Sequence, residues 1–352
     1  MIKTSNSNSI YSKLLSYIPQ SLILDKNPYF VETKIKTREK VLLNNKELSD
    51  TITERISPFG THSTLISLNR SKRPQPTIKK IDNIKEKECL FDKLDSVAKP
   101  QRKEGNVYIA PNPFAFNLGY HDLIITNDHI ENIEDIKEEH IEGIITILFK
   151  RAQEISQDKD VININMGINF GTDKEKFPAG ASQPHLHAQI GAIFQNGFTP
   201  SFSLRRSIEQ SFEKDNIDYT GEYIKAIKSS SLDIIESKNF ILFAPFAPRF
   251  KDEIHILPKE LNIPTLVSPT KDQINELMSL IYKVLDAFKK INISSFNIIF
   301  EGEYLDKNSD TRIMISIIPR QSDIAYSELN SRFVIDRFPE ITSSIIKQWI
   351  QK

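Results

Sequence analysis

The segment "GASQPHLHAQIGA", Gly180 to Ala192, sets His185, His187 and Gln189 at alternate positions, with Leu186, Ala188 and Ile190 filling the gaps. Alternate residues of a β-strand point the same way. Two imidazoles and an amide therefore share one face, and three apolar side chains pack behind them. Imidazole acts as base, metal ligand or covalent nucleophile near neutral pH. A strand holds a reactive atom more firmly than a loop does. A pair of buried, hydrogen-bonded histidines is the plainer alternative. The third polar group on that face and the small residues of the preceding "AGAS" favour chemistry.

The elements around this strand are legible from period. "HDLIITNDH" (His121 to His129) alternates as a strand. Ile136, Ile141, Ile144, Ile145, Leu148 and Phe149 form a helical stripe between about residues 134 and 156. "VININM" (Val161 to Met166) is again a strand. The order returns about 130 residues later as "DEIHILP", "KDQINELMSLIYKVLDAFKKI", "FNIIFEG" and "RIMISIIP". One strand–helix–strand–strand unit used twice gives an α+β chain. In the second copy the slot matching His185, His187 and Gln189 is expected to hold Arg312, Met314 and Ser316, which leaves the chemistry to the first half. The expected division is a peripheral extension over residues 1–50 with no firm strand pattern in its first 45, one half over 51–200 and another over 201–352. Arg70 to Glu88 is expected to be an exposed basic loop. His140 is expected near the exposed edge of its helix, and His62, His121 and His255 receive no role.

The 352 residues suffice for two ordinary domains or one built twice. Forty-six basic residues balance 46 acidic ones, whereas a nucleic-acid or membrane-surface binder needs a basic surplus. No apolar run approaches the ~20 residues of a membrane helix, and "MIKTSNSNSIYSK" lacks a signal-peptide core. A single cysteine, Cys89, forms no internal disulfide and suits a reducing compartment. The expectation is a soluble cytoplasmic protein.

"SQPHLHAQI" resembles the active-site strand, S-x-x-P-H-P-H-x-Q, of the galactose-1-phosphate uridylyltransferase family, a branch of the histidine-triad superfamily that includes ADP-glucose phosphorylase-like members. Four further segments resemble that family in its own order. They are "RISPFGTHSTLISLNRSKRP" (Arg55 to Pro74), "APNPFAFNLGYHDLIITNDH" (Ala110 to His129), "NFILFAPFAPRFKDEIHILPK" (Asn239 to Lys259) and "SELNSRFVIDRFPE" (Ser327 to Glu340). The likeness covers about residues 55 to 345.

This resemblance implies tandem histidine-triad-like halves, antiparallel sheets with flanking helices, and a homodimer. It implies ping-pong transfer of a nucleoside monophosphate from a nucleotide sugar to a sugar-1-phosphate through a nucleotidyl-histidine. The alternatives are a phosphorylase that uses inorganic phosphate on a nucleotide sugar or dinucleoside polyphosphate, and a non-catalytic nucleotide-binding module. His187 would be the nucleophile, Gln189 would bind the transferred phosphoryl group, and Ser182 would contact phosphate oxygens. Arg70 and Arg73 would neutralise the diphosphate, and Asn112 would hold the ribose. Asn169 and Gly171 match the family's N-x-G, here separated from "AGAS" by "TDKEKFP". Arg332, where relatives carry small residues, would meet the acceptor, with Arg312 as a second cation.

Members of the family often hold a structural zinc. Cys89, Asp92 in place of a second cysteine, His129 and His185 would hold it here, since a carboxylate also ligates zinc. A buried Cys89, a surface Asp92 and His129 in a turn would be the arrangement without it. The second metal known in some members would fall on Ser203, Glu301, Arg312 and Met314, and is expected to be absent.

Overall fold

The computed structural model describes residues 30–36, 41–43, 46–48, 51–58, 62–66, 89–93, 102–112, 120–171, 179–181, 183–194, 200–305 and 311–351. Arg70, Arg73, Ser182 and the stretch from Arg70 to Glu88 lie outside them. The strands are β1 (Val31–Lys36), β2 (Val41–Leu43), β3 (Lys46–Leu48), β4 (Thr51–Ile56), β5 (Ser63–Ile66), β6 (Arg102–Glu104), β7 (Val107–Pro111), β8 (His121–Thr126), β9 (Val161–Phe170), β10 (His187–Phe194), β11 (Asp233–Glu236), β12 (Phe240–Phe243), β13 (Ile254–Pro258), β14 (Phe296–Glu301), β15 (Met314–Pro319) and β16 (Arg332–Ile335). The helices are α1 (Glu138–Ile155), α2 (Pro200–Glu213), α3 (Tyr219–Lys228), α4 (Lys271–Lys290), α5 (Tyr326–Leu329) and α6 (Pro339–Ile350).

Ten strands make one antiparallel sheet in the order β11-β12-β13-β15-β14-β9-β10-β8-β7-β6. Outward from the central pair, β9-β10-β8-β7-β6 on one side repeats as β14-β15-β13-β12-β11 on the other. The pair β9–β14 matches Ile168 with Ile298 and Asn169 with Asn297, so the two halves meet back to back. The fold is α+β and duplicated, as the residue pattern implied.

The ladders correct the alignment of the copies. Ala188 pairs with Ile168 in the first half, and Ile317 pairs with Ile298 in the second. Ala188 therefore corresponds to Ile317, and His185, His187 and Gln189 correspond to Met314, Ser316 and Ile318. The expected slots Arg312, Met314 and Ser316 were two residues early. A slip of one would have turned every side chain to the wrong face, whereas a slip of two preserves the alternation and leaves no trace in the pattern.

One face of the sheet is covered by α1 and α4. Ile144, Leu148 and Phe149 of α1 and Ile281, Leu285 and Phe288 of α4 pack with Ile168, Leu186, Ala188, Ile190, Ile298 and Ile317 in one continuous core. On the other face, α3 and Ile208 of α2 cover the second half only, with Phe243, Phe246 and Met314 among the residues they bury. This leaves the histidine strand's polar face in the first half for other use. Gly167 sits at the seam, where an added Cβ would lie 2.6 Å from the Ile298 carbonyl oxygen. Glycine is what lets β14 come this close.

Three further expectations change. Val31–Lys36 is a strand that pairs with β4 in a second sheet, β1-β4-β5-β16, so the first 45 residues are not without strands. His140 is 3% exposed. Its Nδ1 accepts from the Lys137 backbone N–H at 3.1 Å and its Nε2 meets Asp128 at 3.2 Å, so it caps its own helix rather than lining an outer edge. Arg312 is 1% exposed and forks onto both carboxylate oxygens of Asp218 at 2.6 Å. A guanidinium committed in this way is not a spare cation for a substrate.

Candidate active site

Alternation along β10 puts His187 and Gln189 on the polar face, and the chain enters this strand through two residues in the left-handed region, Ala179 (φ 55°) and Gly180 (φ 71°). His187 is 1% exposed. Its Nδ1 lies 2.7 Å from the His185 carbonyl oxygen. A carbonyl only accepts, so Nδ1 carries the proton and Nε2 keeps the lone pair. Burial pushes the imidazole down to about 4, so at neutral pH the ring is uncharged. Phe91 stands edge-on to it at 4.9 Å and to His185 at 5.9 Å. A neutral imidazole with a fixed tautomer and no hydrogen bond to Nε2 among the described residues has what a nucleophile requires.

His185 faces a different neighbourhood. Its Nε2 meets the Thr126 carbonyl at 2.9 Å, which leaves Nδ1 as the lone-pair atom. Around Nδ1 stand Asp92 Oδ1 at 3.3 Å and Cys89 Sγ at 3.6 Å. His129 Nδ1 lies 3.0 Å from the same Asp92 oxygen. One ligand atom from each of Cys89, Asp92, His129 and His185 falls within 4.8 Å of all the others. Cys89 immediately precedes the single turn Leu90–Lys93, which carries Phe91 and Asp92, so one short segment supplies two donors and the wedge against both histidines. Burial raises the Cys89 thiol and lowers His185. Both shifts oppose charge on the buried donors, and a divalent ion would reverse the first. The group fits a metal: one thiolate, one carboxylate and two imidazoles, one of them oriented by a backbone carbonyl.

His121 is the residue that sequence reasoning missed. It lies on β8 beside β10, one diagonal step from Gln189, and is 5% exposed. Its Nε2 meets Gln189 Oε1 at 3.0 Å and Asn112 Nδ2 at 3.3 Å. That nitrogen carries either a proton or a lone pair, so it donates to Gln189 or accepts from Asn112. The shorter contact is to Gln189, and such a bond would turn the amide N–H₂ of Gln189 away from His121. The signal was available: His121 shares the period-two pattern of "HDLIITNDH", but its partner lies 68 positions away.

Asn112 accordingly falls beside His121, and its backbone N–H bonds the His121 carbonyl at 2.7 Å. Continuing the β9–β10 ladder by one residue sets Asn169 across from His187. Gly171 follows with a positive φ of 154°. The structure thus gathers His187, Gln189, Asn112 and Asn169 on one sheet face and Cys89, Asp92, His129 and His185 at its edge. Arg332 is exposed at the start of β16 in the other sheet.

No family model matches the chain. It is 26% identical over 240 residues to ADP-glucose phosphorylase of Arabidopsis thaliana, a match covering 66% of this chain and 65% of that protein. It is 25% identical over 171 residues to galactose-1-phosphate uridylyltransferase of Thermotoga maritima, covering 48% and 51%. The matched segments thus span less than two thirds of either relative. In fold it is similar to the crystal structure of the Arabidopsis ADP-glucose phosphorylase with bound ADP-glucose, with a TM-score of 0.69, 22% identity, and coverage of 84% of this chain and 97% of that one. Among the described residues no helix is long and apolar enough to cross a membrane. Relatives in sequence and neighbours in fold agree with the motifs: the chain resembles ADP-glucose phosphorylase and galactose-1-phosphate uridylyltransferase in sequence and shares the fold of the former.

Proposed function

We propose that the chain moves a nucleoside monophosphate from a nucleotide sugar to a phosphate-bearing acceptor through a nucleotidyl-His187 intermediate. The observation that carries this reading is the fixed tautomer of His187, with Nδ1–H held by the His185 carbonyl and Nε2 left with its lone pair. Nε2 attacks the α-phosphorus, a P–N bond forms, the P–O bond to the sugar phosphate breaks, and sugar-1-phosphate leaves. No proton has to depart, because the positive charge on the ring is shared with the carbonyl through Nδ1–H. The acceptor oxygen then attacks the same phosphorus, the P–N bond breaks and His187 returns neutral. Gln189 binds the phosphoryl oxygens, Ser182 contacts them as well, and Asn169 and Gly171 contribute to the same subsite. Asn112 holds the ribose, and Arg70 and Arg73 neutralise the diphosphate. Arg332, exposed at the start of β16 in the other sheet, would meet the acceptor if a second copy in a homodimer carried it to the site.

The longer of the two sequence matches is to a phosphorylase, which favours inorganic phosphate over a sugar-1-phosphate as acceptor. Zinc is the proposed metal for Cys89, Asp92, His129 and His185. When bound it would anchor the Leu90–Lys93 turn and the start of β10, and so the position of His187. A reducing, cytoplasmic setting suits a buried free cysteine.

The test is incubation of the protein with UDP-, ADP- and GDP-sugars labelled in the α-phosphate. Acid-labile, base-stable label on wild type and none on His187→Ala is the expected result. Label on His187→Ala, or more than about a hundredth of wild-type turnover in it, would remove the covalent assignment.

A further inference from the structure

The arginines of the second half are nearly all spoken for. Arg205 bonds Glu209, Arg206 bonds Glu213 and Glu303, Arg249 bonds Glu253, Arg312 bonds Asp218 and Arg337 bonds Asp252. Arg320 differs. It is half-buried at the end of β15, its backbone N–H bonds the Ser295 carbonyl at 3.0 Å, and among the described residues no carboxylate comes within ion-pair distance. Its Nη1 donates to Asn297 Oδ1 at 3.1 Å. Its guanidinium lies over the Phe250 ring at 5.0 Å. Its Nε is buried without a hydrogen-bond partner. Burial depresses its pKa, with Asp323 acting weakly the other way. A desolvated guanidinium with open donors and no counter-charge is an unmet demand for an anion.

Its position says which anion. Asn297 Nδ2 donates to Asn169 Oδ1 at 2.7 Å and to the Ala179 carbonyl at 2.8 Å. Asn169 stands across from His187, and Ala179 begins the turn into the histidine strand. Asn112, His121, the pair His187 and Gln189, Asn169, Asn297 and Arg320 therefore follow one another across the sheet, at or just past the ends of β7, β8, β10, β9, β14 and β15. Neighbouring strands are about 4.8 Å apart, so Asn297 lies about 10 Å from His187 on the side away from Asn112.

We propose that Arg320 is the anion-binding residue on the acceptor side of this site, taking the phosphate of inorganic phosphate or of a sugar-1-phosphate. The proposal rests on the function above, which puts the ribose at Asn112 and the reacting phosphorus at His187. The opposite flank then receives the group that arrives or departs, and both candidates present a phosphate dianion. The Phe250 face holds the guanidinium flat, Asn297 takes one edge, and the remaining N–H groups are left for a forked bond to phosphate oxygens.

Two measurements on the full chain test it. In the first, thermal unfolding is followed in sodium phosphate and in sodium chloride of equal ionic strength, since a ligand bound only by the native state raises the midpoint. Phosphate is expected to raise the midpoint of wild type, to raise that of Arg320→Lys less, and to leave Arg320→Gln unchanged. No phosphate-specific rise in wild type, or an equal rise in wild type and Arg320→Gln, would overturn the proposal. If Arg320→Gln does not fold, Arg320→Lys decides, and a rise equal to wild type's overturns it. In the second, labelled nucleotidyl-His187 is formed from the nucleotide sugar and chased with inorganic phosphate in one arm and glucose-1-phosphate in the other. Arg320→Gln is expected to form the adduct within about threefold of wild type and to discharge it about 10- to 100-fold more slowly at sub-saturating acceptor, the size of one lost charged hydrogen bond. A loss in one arm alone identifies the phosphate source. Equal loss in formation and discharge, or none in either, contradicts the assignment. A wild type that takes no label refutes the nucleotidyl-histidine reading, and the phosphate shift then stands or falls by itself.

Discussion

His187 donates Nδ1–H to the carbonyl oxygen of His185, two residues back on the same chain, at 2.7 Å. The same residue thus offers its side chain to the metal-ligand group and its backbone to the nucleophile. Any movement of His185 is passed to the ring that would attack phosphorus.

That coupling predicts the effect of metal loss. The purified chain is expected to carry one equivalent of zinc, measurable by elemental analysis. Chelation, or Cys89→Ser, is expected to lower the thermal midpoint and to reduce adduct formation together. Unchanged unfolding after complete metal removal would show that the four donors do not hold a structural ion.

His121 offers a second test. Replacement by Phe removes the contact to Gln189 Oε1 and frees the amide to rotate. The turnover number should fall about 100-fold, the scale seen when one oriented donor is lost, with little change in KM. His121→Gln, which can restore a donor, should recover part of it. A His121→Phe enzyme with wild-type turnover would make this histidine a bystander.

Gly167→Ala places a methyl 2.6 Å from the Ile298 carbonyl oxygen. Backbone cannot rotate away as a side chain can, so the strands must part. A loss of about 1–3 kcal/mol is expected, read as a lower urea midpoint at unchanged slope. An unaltered midpoint would mean the seam is softer than its register suggests.

Acid should destabilise the fold where His62 packs against the second half. Burial, offset in part by the bond between its Nε2–H and the Ala247 carbonyl, pushes His62 down to about 4 from 6.5. The unfolded chain takes a proton that the folded chain refuses, so stability present above pH 6.5 drains away as pH falls towards 4. Glu253 adds to this below its ordinary 4.5. Burial alone would raise it, but Arg249 and His255 outweigh burial and hold the carboxylate ionised. His62→Gln should make the fall in urea midpoint between pH 6.5 and 4 shallower, the remainder coming from His187, which burial also holds near 4, and should leave the loss below 4.5. Parallel curves for the two proteins would exclude His62 as the titrating group.

The strand motif and the repeated unit were legible because both are local: period two, period 3.6 and a recurring order. What escaped depended on partners far along the chain. The pairing of Ile317 with Ile298 fixed the copy alignment, and alternation is blind to a slip of two. His121 is one histidine among seven until β8 and β10 are laid side by side. Arg312 offered a charge in the sequence, but Asp218 had already claimed it. His140 sat on a helix whose stripe was correct, yet its burial depended on Asp128 and the turn before the helix.

The seam at β9 and β14 bears on how such a chain could have come about. Severed from the second half, the first would show β9 as a bare edge, and bare edges recruit strands. A second copy of the same half is the natural recruit. Two β9 strands, antiparallel about Ile168, would rebuild a twofold-symmetric sheet of ten strands with a nucleophilic histidine on each side. The joined chain keeps that architecture but spends the symmetry. With Ser316 where the second histidine would stand, half of the molecule is free to drift towards holding a substrate rather than reacting with it.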